Sequence, residues 1–139
     1  MSKTTLKSVS KKMKKLDLCM MTTITTKGMT ASRPMSHNGD ADFNGYSYFF
    51  TWEKSQLVKD LTKNNHVNLA FIGKKRLYIS VTGQAKLIRK QELMKEHWKK
   101  DLEVWFKDGL ETPGIVMIEV KANRLKYWQD EDEGEVVLK

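Results

Sequence analysis

Leu6, Val9, Met13 and Leu16 recur at spacings of three, four and three, with lysines between them. That spacing lines the four apolar side chains up on one stripe of a helix and leaves the ammonium groups on the other faces. Residues 1–16 therefore read as a basic amphipathic helix docked on the body of the protein. The period then changes. Residues 18–24 are apolar and threonine-rich, which suits a strand, because β-branched side chains pack well on a pleated surface. Lys27-Gly28 is a turn signal, so residues 29–35 are expected to return as the second strand of a hairpin. Asn38-Gly39-Asp40 and Asn44-Gly45 mark loops. Residues 46–51 are aromatic and β-branched, a further strand. Within 55–64, Leu57, Val58 and Leu61 follow helical spacing, and the Ser55 hydroxyl can cap the first turn.

The second half repeats this alternation. Residues 66–72 read as a strand and Gly73-Lys74-Lys75 as a turn. Residues 77–88 alternate for long enough to be one long strand or two, with Gly83 at a bulge or bend. A short helix is expected at 91–100 and a loop at 109–114, and strands at 115–120 and 124–128 are expected to form a closing hairpin. Six to seven short antiparallel strands with short helices between them make a mainly β fold, arranged as a closed or half-closed β-barrel. The divisions are a basic helix at 1–16, a body at 17–128 and an acidic tail at 129–139 that is expected to fray.

Charge narrows the function classes. The formal net charge is +8, but six lysines crowd into residues 1–16 with no acid among them, and Asp130, Glu131, Asp132, Glu133 and Glu135 crowd the other end. A nucleic-acid binder spreads cations over its folded surface with aromatics among them, so this distribution argues against that role. No apolar stretch has the roughly 20 residues of a membrane span, and the lysine-rich start lacks an apolar segment of signal-peptide type. The chain reads as cytoplasmic, with Cys19 a buried thiol. His37, His66 and His97 lack metal-ligand spacing, and neither a glycine-rich phosphate loop nor a nucleophile elbow occurs.

The candidate chemistry lies in Ser32-Arg33-Pro34-Met35, Phe49-Phe50-Thr51 and Ser55. Arg33 ends a strand in which a lone charge is costly unless paired. Thr51 closes another strand, and Ser55 opens a helix whose free N–H groups attract anions. Together they can cradle a phosphate. They can equally be a rim ion pair and two ordinary caps.

Those segments, with Thr22-Thr23, Val67-Asn68-Leu69, the run from Ile79 to Ala85, Trp105-Phe106-Lys107-Asp108-Gly109 and Tyr127-Trp128, resemble the landmarks of one family. It is the general stress branch of the pyridoxamine phosphate oxidase-like flavoproteins, and the likeness extends from about residue 16 to residue 128. The resemblance implies an FMN-binding split barrel, a homodimer, and FMN in the groove between subunits. It implies that Arg33 meets the flavin phosphate and ribityl region, that Pro34 and Met35 line the isoalloxazine ring, that Phe50 and Thr51 reach the flavin, and that Ser55 binds the phosphate. It further implies that Ser80 approaches from the partner and that Trp105, Phe106 and Trp128 lie near the ring. Phe106 reads equally well as a packing aromatic.

Two departures qualify the match. The family carries a lysine two residues after the phosphate-binding serine, and here that position is Leu57, with Lys54 and Lys59 nearby. Restoring the lysine at 57 is expected to tighten FMN. The oxidase branch places a lysine five residues after the strand-end arginine, and an arginine and a histidine six and eight residues after the ring-contacting tryptophan. Here those positions are Asn38, Gly134 and Val136. A flavoprotein with a redox role on a small-molecule substrate, and not a pyridoxamine phosphate oxidase, is the first reading. A non-catalytic flavin-binding or sensor module and a cofactor-free dimer are the others. No catalytic side chain is assigned.

Overall fold

The computed structural model describes residues 4–38 and 42–138, so most of the turn read at Asn38-Gly39-Asp40 lies outside the described residues. The elements are α1 (Leu6–Met13), β1 (Leu18–Ile24), β2 (Thr30–Ser36), β3 (Tyr46–Trp52), α2 (Gln56–Lys63), β4 (His66–Ile72), β5 (Leu77–Ile88), α3 (Gln91–Lys95), β6 (Ile115–Gln129) and β7 (Asp132–Val137). The helix expected at 91–100 stops at Lys95, and short 3-10 turns follow at Lys100–Val104 and Gly109–Glu111.

The strands form one antiparallel sheet in the order β2-β1-β4-β5-β6-β3, with β7 also paired to β6. Mainly β with short helices is the fold class, but the split barrel is overturned. Among the described residues no ladder joins β2 to β3, and the sheet stays open. Part of the reason is in β2. Pro34 has no N–H to give to a second neighbour, and no residue of β2 is buried. A strand with these properties suits the end of a sheet rather than a bridge between two strands.

β6 corrects a second expectation. Residues 115–120 and 124–128 do not fold back as a hairpin. They belong to one 15-residue strand. Thr82 faces Arg124 and Gly83 faces Ala122, so Asn123 is one residue too many for β5 and forms a bulge. A Cβ on Gly83 would stand 2.2 Å from the Lys121 carbonyl oxygen, which is why glycine occupies the site. Before the bulge β6 pairs with β3, and beyond it with β7.

The acidic end is thus an edge strand rather than a frayed tail. Two of its carboxylates take hydrogen bonds from β6. Arg124 donates to both oxygens of Glu135 at 2.9 and 3.1 Å, and the Tyr127 hydroxyl donates to Asp132 at 2.9 Å.

Alternation of the strands makes two faces. The inner face holds Met21, Leu69, Phe71, Ile79, Val81, Ile118 and Leu125, sealed by Val9 and Met13 of α1 and by Leu57 and Leu61 of α2. A smaller core of Phe50, Ile88, Met94, Phe106, Ile115 and Met117 lies where α3 and the 3-10 turns cover β3 and β6. Among the described residues no helix is long and apolar enough to cross a membrane.

Candidate functional site

Arg33 sits on β2 opposite Met21 of β1. Its Nη1 donates to the Met21 carbonyl at 3.1 Å and to Thr23 Oγ1 at 2.8 Å. Nη2 and Nε make no hydrogen bond among the described residues, so the guanidinium is held from one side and keeps donors for a ligand on the other. Burial lowers the Arg33 pKa from its ordinary value, and the nearby Asp60 carboxylate opposes that shift.

Asp60 is the member of this cluster that sequence reasoning missed. It is 1% exposed, one turn into α2, and accepts from Thr26 N–H at 3.2 Å and Gln56 Nε2 at 2.9 Å. The signal was present, since Asp60 shares the helical stripe of Leu57 and Leu61 and is a charge on an apolar face. Ser55 is the N-cap of α2, and its Oγ accepts from Val58 N–H at 3.3 Å. The N–H groups of Gln56 and Leu57 lie in the same first turn, where no intrahelical acceptor exists.

Leu57 does not point at a ligand. It is 7% exposed within the inner core, so a lysine there could not serve an anion at the helix end without leaving that core. The expectation that restoring the lysine tightens FMN is therefore withdrawn.

The remaining residues fall into separate groups. Pro34 is exposed beside Met20, and Met35 packs partly on the inner core beside Cys19. Phe50 is buried against Trp98, with ring centroids 5.0 Å apart, and Thr51 is half-buried opposite Val116. Phe106 is buried against Trp52 and Trp98, which favours the packing reading. Trp105 is exposed and shares with Phe50, Ser36 and His37 the wall of a cavity of about 210 Å³.

Ser80 and Trp128 lie on the outer face of β5 and β6, the opposite face from the core. Asn68 Nδ2 donates to Ser80 Oγ at 2.9 Å, and Lys126 Nζ stands 5.1 Å from the centre of the Trp128 ring. Around them the outer face exposes Leu18, Met20, Ile72 and Tyr78. Ile72, Tyr78 and Trp128 are direct cross-strand neighbours. Within one chain, then, Arg33 and Trp128 belong to different faces of the sheet.

The chain is similar to known proteins in sequence and in fold. A family profile described as pyridoxamine 5'-phosphate oxidase like matches residues 4–138. The chain belongs to that family. Protein bli-3 of Neurospora crassa is 30% identical over an alignment of 122 residues, which covers 78% of this chain and 56% of that protein. The chain thus spans little more than half the length of that relative.

Among solved structures, general stress protein 26 of Bacillus anthracis superposes with a TM-score of 0.75 at 22% identity, covering 96% of this chain and 98% of that one. The general stress FMN/FAD binding protein of Xanthomonas citri gives a TM-score of 0.76 at 21% identity, covering 96% and 92%. These likenesses establish that this pyridoxamine 5'-phosphate oxidase-like chain has the fold of the general stress proteins.

Two oxidase positions have structural employment in this member of the pyridoxamine 5'-phosphate oxidase-like family. A Cβ on Gly134 would meet Thr4 Oγ1 at 2.2 Å and Tyr127 Cε1 at 2.5 Å, so the residues leading into α1 occupy the space a side chain would need. Val136 packs on the inner core.

Proposed function

We propose that the chain binds FMN as a homodimer and acts as a redox flavoprotein of the general stress type. The observation that carries this reading is the division of the site residues between two faces. Arg33 and the start of α2 offer a guanidinium with open donors and a helix N-terminus, a donor set suited to a phosphate. Ser80 and Trp128 sit on an outer face whose exposed apolar side chains call for a cover. A second copy laid on that face buries it, with Ser80 and Trp128 inside the contact. The similarity to an FMN/FAD binding protein supports the choice of cofactor.

When bound, FMN supplies the hydride or electron chemistry. The protein's own residues hold its phosphate, cover its ring and exclude water. The test is a visible absorption spectrum of protein purified without added ligand, together with sedimentation at micromolar concentration. A flavin band on a dimeric species is the expected result. A colourless monomer that does not take up added FMN refutes the reading. Turnover of a reduced nicotinamide by the flavin-loaded protein separates a redox enzyme from a flavin carrier.

Ile72→Asp probes the interface directly. Ile72 is 72% exposed, so the change leaves the core alone and places a carboxylate in the proposed contact. The variant is expected to sediment as a monomer with its secondary structure unchanged by circular dichroism and with weakened FMN binding. A variant that stays dimeric would move the interface elsewhere.

The reading excludes pyridoxamine phosphate as substrate. A substrate phosphate needs cations near the flavin. Position 134 has no room for an arginine, position 136 is committed to the core, and Asn38 is neutral. FMN-loaded protein given pyridoxamine phosphate and oxygen is expected to form no more pyridoxal phosphate than free FMN does. Robust turnover at micromolar substrate would show that these positions are not the ones that matter.

A further inference from the structure

A cavity of about 260 Å³ opens between β3, the residues that follow β2 and the end of α3. Its lining differs from the rest of the surface. The chain has 25 lysines and arginines, yet among the described residues none lines this cavity. The walls are aromatic and acidic, with Tyr46, Tyr48, His97 and Trp98 beside Glu96 and Asp42.

The rings of Tyr48 and His97 stack with centroids 3.4 Å apart and planes 12° from parallel, so each covers one face of the other and keeps one face. Asp42 is paired with Lys14 Nζ at 2.7 Å. Glu96 has no ion pair among the described residues. The charges that act on this stacked pair are those of Glu96 and Glu119, while Lys99 acts on His37 in the same wall. Burial pushes the His97 imidazole below its usual pKa, while Glu96 and Glu119 pull the other way. On Tyr48, burial and then the charges of Glu119 and Glu96 all raise the phenol.

We propose that this cavity binds a small organic ammonium ion, held by the aromatic walls of Tyr46, Tyr48 and Trp98 and balanced by Glu96. Aromatic faces carry negative potential and attract a cation that sheds its water easily, as a methylated ammonium does. An anion would meet Glu96 and ring faces of the wrong sign. A neutral apolar ligand would desolvate Glu96 without pairing it. A metal ion finds no group of three His, Cys, Asp or Glu ligands among the described residues. Arg33, Ser55, Ser80 and Trp128 take no part in its lining, although it shares His37, Tyr48 and His97 with the neighbouring cavity walled by Phe50 and Trp105.

The experiment compares choline with 3,3-dimethylbutan-1-ol, which has the same shape without the charge. Each is titrated into the full chain by calorimetry, and the contact is located by amide chemical shifts. Choline is expected to saturate, to move the amides of Tyr48, Glu96 and His97, and to bind at least about 10-fold more tightly than the alcohol. Glu96→Gln and Tyr46→Ala alter partly or fully exposed side chains, so both variants should fold, and each is expected to weaken choline about 3- to 10-fold. Equal affinity for the neutral isostere, no saturation of choline, shifts confined to the outer face of the sheet, or unchanged affinity in Glu96→Gln would each overturn the proposal.

Discussion

Leu57→Lys is expected to lower stability by about 3–5 kcal/mol and leave FMN binding no tighter. The wild-type side chain is 7% exposed in the inner core, where it packs with Leu61 and the strands beneath α2. Losing a buried leucine costs about 2–5 kcal/mol, and an ammonium put in its place must also be desolvated or deprotonated. Native domains have about 5–15 kcal/mol to lose, so a fall of about 10–20 °C in Tm should be visible by calorimetry.

The pH dependence distinguishes a buried lysine from a simple cavity. A lysine held neutral in the folded state binds a proton on unfolding, so stability rises with pH as the unfolded-state pKa of about 10.4 is approached. Leu57→Ala leaves a cavity and introduces no such slope. A Leu57→Lys protein as stable as the wild type, with stronger FMN binding, would show that the lysine reaches out of the core to the helix end.

Arg33→Ala is expected to weaken FMN by roughly 10- to 100-fold, because a charge-assisted hydrogen bond contributes about 1.5–3 kcal/mol. Riboflavin lacks the phosphate and should lose far less. The fold should survive, since Arg33 is only half-buried on an edge hairpin, although the buried Thr23 hydroxyl and Met21 carbonyl each lose a donor, which lowers Tm modestly.

The variant also exposes the role of Asp60. In the wild type Arg33 lies near the buried Asp60 carboxylate, so its removal leaves that negative charge without this neighbouring cation. The double variant Arg33→Ala, Asp60→Asn should therefore recover part of the lost affinity. Fluorescence titration with FMN and riboflavin reads both effects. Equal losses for the two flavins would remove the phosphate from the neighbourhood of Arg33.

Much of the fold was legible in the residues. The stripe Leu6, Val9, Met13 marks a helix because only a 3.6-residue period puts those side chains together, and α1 buries Val9 and Met13. Strands β1 and β4 match their expected bounds because alternation is a local property of the pleat. The cap at Ser55 and the bulge opposite Gly83 were legible for the same reason, since a hydroxyl and a missing Cβ act within a few ångströms of their own backbone.

What depends on distant partners was not legible. Nothing in residues 121–123 distinguishes a turn from a bulge, because the choice is made by β5 lying alongside and pairing across the whole of β6. The acidic end reads as a frayed tail until Arg124 and Tyr127 are seen to take its carboxylates. Closure of the barrel was read from the run of short antiparallel strands as well as from likeness, but it requires β2 and β3 to meet, and a non-local edge pairing leaves no mark in either strand beyond Pro34. Asp60, which the sequence did not single out, lies inside near Arg33, and Leu57, which stands where the family carries a lysine, lies in the core. Sequence spacing sets which side chains share a face of α2. Only the packing of that face against β1 and β5 decides which of them meets a core and which meets a charge.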